Sequence, residues 1–382
     1  MRILLVHNYY QLAGGEGLVF RAEAELLKAR GHAVLEYTAH NDQLAATGAL
    51  KTALTAIWNQ NVYQELHSLV QKERIQVVHF HNTFPLISPA AYYAAKAAGA
   101  AVVQTLHNYR LLCPNALFFR EGSVCEDCLG KAIPWPGVAH KCYRNSLVAS
   151  SAVSTVLTLH RAAKTWRTQV DAYIALTAFA KDKLIQGGFP KDLVHIKPNF
   201  VDPDPGYQPQ PGAYALYVGR LSVEKGIDTM LAAWAKLEQT LPLKIIGDGP
   251  LADDVAQAVK QHPGIEWLGR CPSDVVYQAM KGARFLVVPS KWYEGLPRTI
   301  VESFAVGTPV LASDLGAMSS LIQPNTTGWH FEAGNVEDLI RTVTHHTAPN
   351  ATLRQSTRKA FEDNYCADKN YKRLLEIYRA VA

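Results

Sequence analysis

The sequence predicts an α/β protein of two domains, each a parallel sheet with the Rossmann-like alternation of strand and helix. Three observations carry this expectation. The chain has 382 residues, more than one hydrophobic core usually organises. Short, wholly apolar runs alternate with longer amphipathic ones, as strands buried on both faces alternate with the helices that cover them. A Pro-rich stretch at 198–212 interrupts the alternation, which then begins again. The expected division is a first domain over 1–200, a hinge over 201–212 and a second domain over 213–364. A C-terminal helix over 365–382 is expected to pack back on the first domain.

Composition narrows the class. Hydrophobic residues make up 48% of the chain and charged ones 19%, the balance of a soluble globular protein. A net charge of +5 suits a phosphate-bearing ligand or an anionic membrane surface and falls short of a nucleic-acid footprint. Met1–Val6 is too short an apolar run for a signal peptide and lacks a small-residue cleavage site. No run of 18 apolar residues is present to cross a membrane. The expectation is a cytoplasmic protein, with peripheral contact at the inner membrane face left open.

In the first half, Ile3–His7 reads as a buried strand. The loop Asn8–Gly17 carries Gly14 and Gly15, and a helix follows over Leu18–Arg30. Backbone N–H groups at such a helix start can receive a phosphate, although Gly14-Gly15 is also what a simple turn uses and is not the G-x-G-x-x-G dinucleotide fingerprint. Strands over Val77–Phe80 and Ala101–Leu106 end at His81 and His107, where ligands bind in open α/β sheets. A long helical stretch over Val148–Val170 suits either a core-facing helix or an acidic membrane interface.

Residues 113–142 hold Cys113, Cys125, Cys128 and Cys142, with C-x-x-C spacing in the middle pair. Four thiolates would staple an irregular loop around a structural zinc. Reduced, unliganded thiols are the competing reading.

In the second half, Tyr214–Val218 is a strand leading into Gly219–Gly226, where Arg220 and Lys225 flank a flexible loop suited to a diphosphate. Gly247-Asp248-Gly249-Pro250 is a tight turn after another strand. The apolar run Phe285–Val288 is closed by Pro289 and Ser290, and a short loop holding Glu294, Gly295, Leu296 and Pro297 leads into a helix over Thr299–Val306. Glu294 and Glu302 stand eight residues apart, about two helical turns, so both are expected on one side of a helix that starts at the loop. An ordinary solvated helix would carry acids in its first turn as well. No D-x-D motif beside a strand suggests a catalytic metal. Asp202-Pro203-Asp204 has that spelling but falls in the linker.

These residues resemble the retaining glycosyltransferases of family 4, over nearly the whole chain. The specific element is E-x₇-E, met by Glu294 and Glu302. Val218-Gly219-Arg220-Leu221, Glu224-Lys225-Gly226, Gly247-Asp248-Gly249-Pro250, Gly14-Gly15 and Leu106-His107-Asn108 also match. The resemblance implies the GT-B fold, two Rossmann-like domains facing a central cleft. It implies an acceptor-binding first domain and a nucleotide-sugar-binding second domain. Arg220 and Lys225 would hold the diphosphate, Glu294 the donor sugar's hydroxyls and Glu302 the ribose. Leu268, Gly269 and Arg270 would frame the base, and Gly249 would lie in the donor site. Gly14 and Gly15 would let the first domain's loop approach the diphosphate, and His107 would sit near the sugar's 6-position. Gly295 would lie in the donor site too, and Leu296-Pro297-Arg298 departs from the aromatic or Gly usual after Glu-Gly, which leaves hydrogen bonds to the donor sugar around Leu296 and Pro297 open. The implied donor is a nucleotide sugar, UDP- rather than GDP-linked, and the implied acceptor a glycan, lipid-linked or small-molecule hydroxyl in polysaccharide or glycoconjugate biosynthesis. No catalytic cofactor and no nucleic-acid partner are implied. A sugar-nucleotide epimerase, a phosphorylase, or a catalytically silent carbohydrate-binding protein on the same fold are the alternatives.

Overall fold

The computed structural model describes residues 1–11, 14–46, 48–210, 212–237 and 240–382. The expected Gly-rich loop and Pro-rich hinge include Leu12, Ala13 and Pro211, which lie outside the described residues. The chain forms two compact units. Unit 1 comprises 1–118, 126–198 and 370–382, and unit 2 comprises 119–125 and 199–369.

Unit 1 is built on β1 (Arg2–Tyr9), β2 (Ala33–His40), β3 (Val77–Asn82) and β4 (Ala101–Leu106). A two-stranded antiparallel ribbon, β5 (Phe119–Arg120) and β6 (Ser123–Val124), follows in sequence, then β7 (Ala172–Ala175) and β8 (Val194–Ile196). The six-stranded sheet has the order β2-β1-β3-β4-β7-β8, parallel throughout. Ile3, Leu4, Leu5 and Val6 are all fully buried, which is why the strand reads as a continuous apolar run rather than an alternating one. Phe20 and Leu27 of the helix Gly15–Ala29 cover one face, together with Leu374 and Tyr378 of the C-terminal helix Ala367–Val381.

Unit 2 repeats the plan with β9 (Tyr214–Val218), β10 (Leu243–Ile246), β11 (Ile265–Trp267), β12 (Ala283–Val288), β13 (Val310–Ser313) and β14 (Gly328–Phe331). The order is β11-β10-β9-β12-β13-β14, again wholly parallel. Trp234, Met230, Phe285 and Leu339 lie in its core.

In both sheets the chain builds outward on one side and then on the other, so the order reverses between β1 and β3 and between β9 and β12. Loops leaving the carboxyl ends of two such strands diverge and open a crevice. The fold therefore gives each unit one place where polar side chains can gather.

Two local readings are corrected and a third is borne out. The first helix starts at Gly15, with Gly14 as its N-cap, so the loop is shorter than expected. The stretch 148–170 is two helices, Leu147–Ala162 and Thr165–Thr168, separated where Lys164 takes the left-handed conformation at φ 54°. The helix after β12 starts at Arg298, one residue before the expected start, and Glu294 lies in the loop that precedes it, as expected.

The Pro-rich segment is strapped to unit 2. Buried Arg354 donates to the carbonyls of Gln208, Ala283 and Lys281 at 2.8, 2.9 and 3.2 Å. Lys281 donates to the Pro205 carbonyl at 2.6 Å, and Arg358 forks onto both Asp204 carboxylate oxygens at 2.9 and 2.5 Å. Asp204, the second acid of the D-x-D spelling, is thus engaged by a guanidinium that also holds its carboxyl below the usual range.

Candidate active site

The unit 2 site is assembled at the β9/β12 switch point. Arg220 and Lys225 follow β9, and Ser290 and Glu294 follow β12. Lys225 Nζ lies 2.7 Å from Glu294 Oε1, and Ser290 Oγ donates to the same oxygen at 2.6 Å. Glu294 is 4% exposed, and these contacts help replace the water its carboxylate loses on burial. The Lys225 ammonium also stands 5.3 Å from the centre of the Trp292 ring, a cation–π distance. Arg220 is exposed, and its carbonyl is fixed by the Tyr217 hydroxyl at 2.8 Å. Burial first, then the Glu294 and Glu224 charges, push the Tyr217 phenol well above its ordinary value, so it stays a donor.

Backbone contacts lock these loops together. Gly226 takes φ +72°, and a Cβ there would fall 1.8 Å from the Pro289 carbonyl oxygen. Gly247, at φ +143°, would place a Cβ 1.8 Å from the Gly219 carbonyl oxygen. The Leu221 amide donates to the Asp248 carbonyl, and the Lys291 amide to the Glu224 carbonyl. Gly249 abuts this seam, where a Cβ would meet the Leu221 carbonyl oxygen at 2.4 Å. The glycines of both motifs thus let the β9, β10 and β12 loops touch backbone to backbone.

Glu302, in the helix Arg298–Ala305, is paired with Arg298 Nε at 2.7 Å and is largely buried. Leu296 and Pro297 are buried, and Gly295 is half-buried. After β11, Leu268 is 37% exposed with its amide on the Ile245 carbonyl, Gly269 takes φ +66°, and Arg270 is exposed.

Unit 1 gathers a different cluster. His107 follows β4 and lies with its Nε2 3.0 Å from His81 Nδ1. Behind it, Glu23 of the first helix has its Oε1 3.0 Å from His79 Nδ1 and 3.4 Å from His81 Nε2, and its Oε2 2.8 Å from Lys197 Nζ. His79 also meets the Tyr378 and Thr105 hydroxyls, both at 2.7 Å. Burial pushes His79 down to about 4 and His7 to about 3, and holds His107 well below its ordinary value. Burial alone would raise Glu23; Lys197, then His79, outweigh it and hold the carboxyl well below the usual range. Ligand atoms of Glu23, His79 and His81 lie within 4.8 Å of one another, close enough for a metal. The Lys197 ammonium already supplies the positive charge at that carboxylate, so these residues read as an internal ion pair flanked by two imidazoles. The His79-x-His81 alternation, which puts both rings on one face of β3, was the sequence signal for this cluster.

Glu16, in the first turn of the Gly15–Ala29 helix, was not singled out from sequence. Its Oε1 is buried without a hydrogen-bond partner, and burial, opposed by Arg110, pushes the carboxyl up to about 8. Gly14 and Gly15 have open space where a Cβ would project, and Gly14 has extended backbone, so neither local sterics nor φ demands glycine there.

The four-cysteine expectation is corrected. Among the described residues, the only cluster with metal-ligand spacing is Glu23, His79 and His81; Cys113, Cys125, Cys128 and Cys142 do not form one. Cys113 Sγ donates instead to Asn115 Oδ1 at 2.9 Å, and Cys128 Sγ points to the Pro134 carbonyl at 3.8 Å. The loop is stapled by other means. Arg161 donates to the carbonyls of Lys131 and Leu111 at 2.6 and 2.8 Å, and Lys183 pairs with Glu126 at 2.7 Å.

Two parallel sheets, the second with a cation–carboxylate pair at its switch point, define a two-domain α/β protein. Residues 13–205 match the model for Glycosyltransferase Family 4, and residues 205–361 match that for Glycosyl transferases group 1. The chain belongs to the family 4 glycosyltransferases. It is 28% identical over 284 residues to an uncharacterized 42.6 kDa protein in the cps region of Klebsiella pneumoniae, covering 71% of this chain and 66% of that one. It is 23% identical to the lipopolysaccharide 1,6-galactosyltransferase of Escherichia coli over 57% of this chain and 64% of that one. The chain thus spans about two thirds of the length of each of these two relatives. The crystal structure of Anabaena Alr3699/HepE in complex with UDP superimposes with a TM-score of 0.67 at 17% identity, covering 100% of both chains. The fold is GT-B.

Proposed function

We propose that the protein is a retaining glycosyltransferase that moves a sugar from a UDP-sugar to a hydroxyl of a glycan or lipid-linked acceptor in polysaccharide or glycoconjugate biosynthesis. The observation that carries this reading is the buried Glu294 carboxylate held 2.7 Å from Lys225, on the same sheet edge as exposed Arg220. Family membership and the UDP bound by the structurally similar Anabaena protein support the donor class.

In this reading unit 2 takes the donor. Arg220 and Lys225 bind the diphosphate and stabilise the charge that grows on it as the anomeric C–O bond breaks. Lys225 has three N–H donors, so it can keep Glu294 and still reach a phosphate oxygen. Glu294 accepts from donor-sugar hydroxyls, Glu302 from the ribose, and the backbone at Leu268–Arg270 frames the base. Retention follows if the acceptor hydroxyl attacks from the face the diphosphate leaves, with a phosphate oxygen taking its proton. No protein nucleophile is required. Unit 1 takes the acceptor, at the strand ends that carry His81 and His107.

The test is UDP release from UDP-glucose and UDP-galactose without acceptor, water standing in for the hydroxyl. Slow release by the wild type, lost in Arg220→Ala, is the expected outcome. Equal release by the variant refutes the role of Arg220, and a failure of UDP to bind the wild type refutes the donor class.

A further inference from the structure

By sequence the stretch 148–170 suits a core-facing helix or an acidic membrane interface, and in the structure its main helix, Leu147–Ala162, has both a core face and an outward one. Val153, Leu157 and His160 are buried. Val148, Ser151, Ala152, Thr155 and Leu159 recur at i, i+3, i+4, i+7 and i+11, the spacing of a single face on the opposite side. Leu147, Val148 and Leu159 are 52%, 74% and 48% exposed. The outward face of a surface helix usually carries charge. This one carries none, because no Asp, Glu, Lys or Arg occurs from 147 to 160. Its threonine hydroxyls are also turned onto the helix itself. Thr155 Oγ1 donates to the Ser151 carbonyl at 2.9 Å and Thr158 Oγ1 to the Ser154 carbonyl at 2.7 Å. Hydroxyls satisfied by their own helix backbone can leave water at little cost.

Neighbouring elements of unit 1 extend this surface. Arg161, near the end of the helix, donates to the Lys131 carbonyl at 2.6 Å, and the Tyr143 amide donates to Ser150 Oγ at 3.0 Å. The segment 131–143 therefore runs antiparallel beside the helix, and it leaves Ile133 and Trp135 exposed. The helix Ala49–Ile57 meets the same helix at His160, whose Nε2 lies 2.9 Å from the Ile57 carbonyl. There Leu54 is exposed and Thr55 Oγ1 donates to the Lys51 carbonyl at 2.9 Å. Charge gathers at the margins and has one sign. Between Asp127 and Asp171 the chain has six Lys or Arg and no Asp or Glu, so nothing in the stretch offsets exposed Lys131, Lys141, Arg144, Lys164 and Arg167. Of the acids just outside it, Glu126 is paired with Lys183 at 2.7 Å and Asp171 with Lys96 at 2.8 Å.

We infer that this surface of unit 1 docks on an anionic phospholipid bilayer, with the helix Leu147–Ala162 lying along the interface. A bilayer offers its two chemistries in the order the surface needs them. Hydrocarbon receives Val148, Leu159 and Ile133, and headgroup phosphates meet lysines and arginines whose long stems reach past the apolar face. Trp135 suits the boundary between the two. A protein partner fits less well, since protein interfaces are depleted in Lys and rely on direct hydrogen bonds, whereas the threonine hydroxyls of this face are already spent on their own helix. The inference holds whether or not unit 1 takes the acceptor.

The test is flotation of the full chain with vesicles of phosphatidylcholine, alone or with one third phosphatidylglycerol. Binding is expected to be at least tenfold stronger to the anionic vesicles and to weaken as salt is raised. Val148→Asp with Leu159→Asp should cut it at least tenfold and leave the melting temperature unchanged, since both side chains are exposed. Lys131→Glu with Lys141→Glu should do the same, and this pair decides the matter if the aspartates disturb folding. Lys260→Glu with Lys369→Glu makes the same change in net charge on exposed lysines of unit 2 and should leave binding at the wild-type level. No binding to anionic vesicles, equal binding to neutral ones, or an equal loss in the unit 2 variant overturns the inference. A dimer in solution that the aspartate variant dissociates assigns the face to a second copy and overturns it as well. No readout here depends on UDP or on sugar transfer, so this inference and the donor reading can fail separately.

Discussion

Lys197→Met tests whether the buried ion pair in unit 1 is a cornerstone or a replaceable contact. Lys197 is 1% exposed, Glu23 is fully buried, and their charged atoms are 2.8 Å apart. Truncating one member of such a pair strands the other, at a cost of about 3–5 kcal/mol. The cluster can soften that cost. His79 and His81 nitrogens lie 3.0 and 3.4 Å from the other Glu23 oxygen, so a proton taken up by the cluster can replace the lost ammonium. In the variant this proton is held more tightly in the folded than in the unfolded state, so its stabilisation is present at low pH and lost as pH rises. The deficit should therefore be largest near pH 8 and shrink by up to about 1.4 kcal/mol per pH unit toward pH 6. Glu23→Gln with Lys197→Met removes both charges and should recover more than half of the loss. Hydrogen exchange of β1 and β3, followed by mass spectrometry in rising urea, reads the stability of unit 1 separately from unit 2. A single variant within about 1 kcal/mol of wild type at pH 8, or a double variant no better than the single, refutes the reasoning.

Wild-type unit 1 should lose stability on acidification. His79 and His7 titrate near 4 and 3 when folded and near 6.5 when unfolded, so below pH 6.5 the unfolded chain binds protons the folded chain cannot. Each histidine then costs about 1.4 kcal/mol at pH 5.5, and an unfolding midpoint unchanged between pH 7.5 and 5.5 would contradict this. Gly226→Ala should abolish UDP binding and lower the melting temperature, since the added methyl both strains a φ of +72° and displaces Pro289; a variant that binds UDP normally argues against the interlocked loops. Gly14→Ala, with open space around it, should leave the melting temperature within a degree or two, checked by calorimetry. Glu294→Gln should cut acceptor-free UDP release at least a hundredfold while UDP itself still binds, and parallel losses of binding and release would move Glu294 from the sugar to the diphosphate.

The strands of both sheets were legible because they are buried on both faces. Val310–Ser313 and Tyr214–Val218 are bounded in the structure where the apolar runs end. Helix starts were less legible. Gly14 offers no side chain to cap the first helix, and Pro297 offers none for the helix bearing Glu302. The second start was nonetheless legible to within one residue, because Pro297 closes the loop that holds Glu294. The Glu23–Lys197 pair was out of reach for another reason. Its members are 174 residues apart, and nothing local distinguishes a buried lysine from the many exposed ones. The cysteine reading failed because spacing constrains only the central pair, whereas the outer thiols go where the loop's other contacts take them.

The glycine-rich motifs show how spelling and mechanism part company. Gly219, Gly226, Gly247 and Gly249 invite a reading as a phosphate cradle, yet three of them sit where a Cβ would strike the backbone of a neighbouring loop. Backbone amides spent between loops, such as Leu221 on Asp248 and Lys291 on Glu224, cannot also bind a diphosphate. On the proposed reading, electrostatic recognition of the diphosphate then falls to side chains. Lys225 is tied to Glu294, and Arg220 is exposed with its own carbonyl pinned by Tyr217, a fixed base for a mobile guanidinium. On that reading a donor whose diphosphate meets Arg220 would bring its sugar toward the carboxylate that Lys225 and Ser290 hold in place, and one pair of loops would set both charge recognition and sugar orientation.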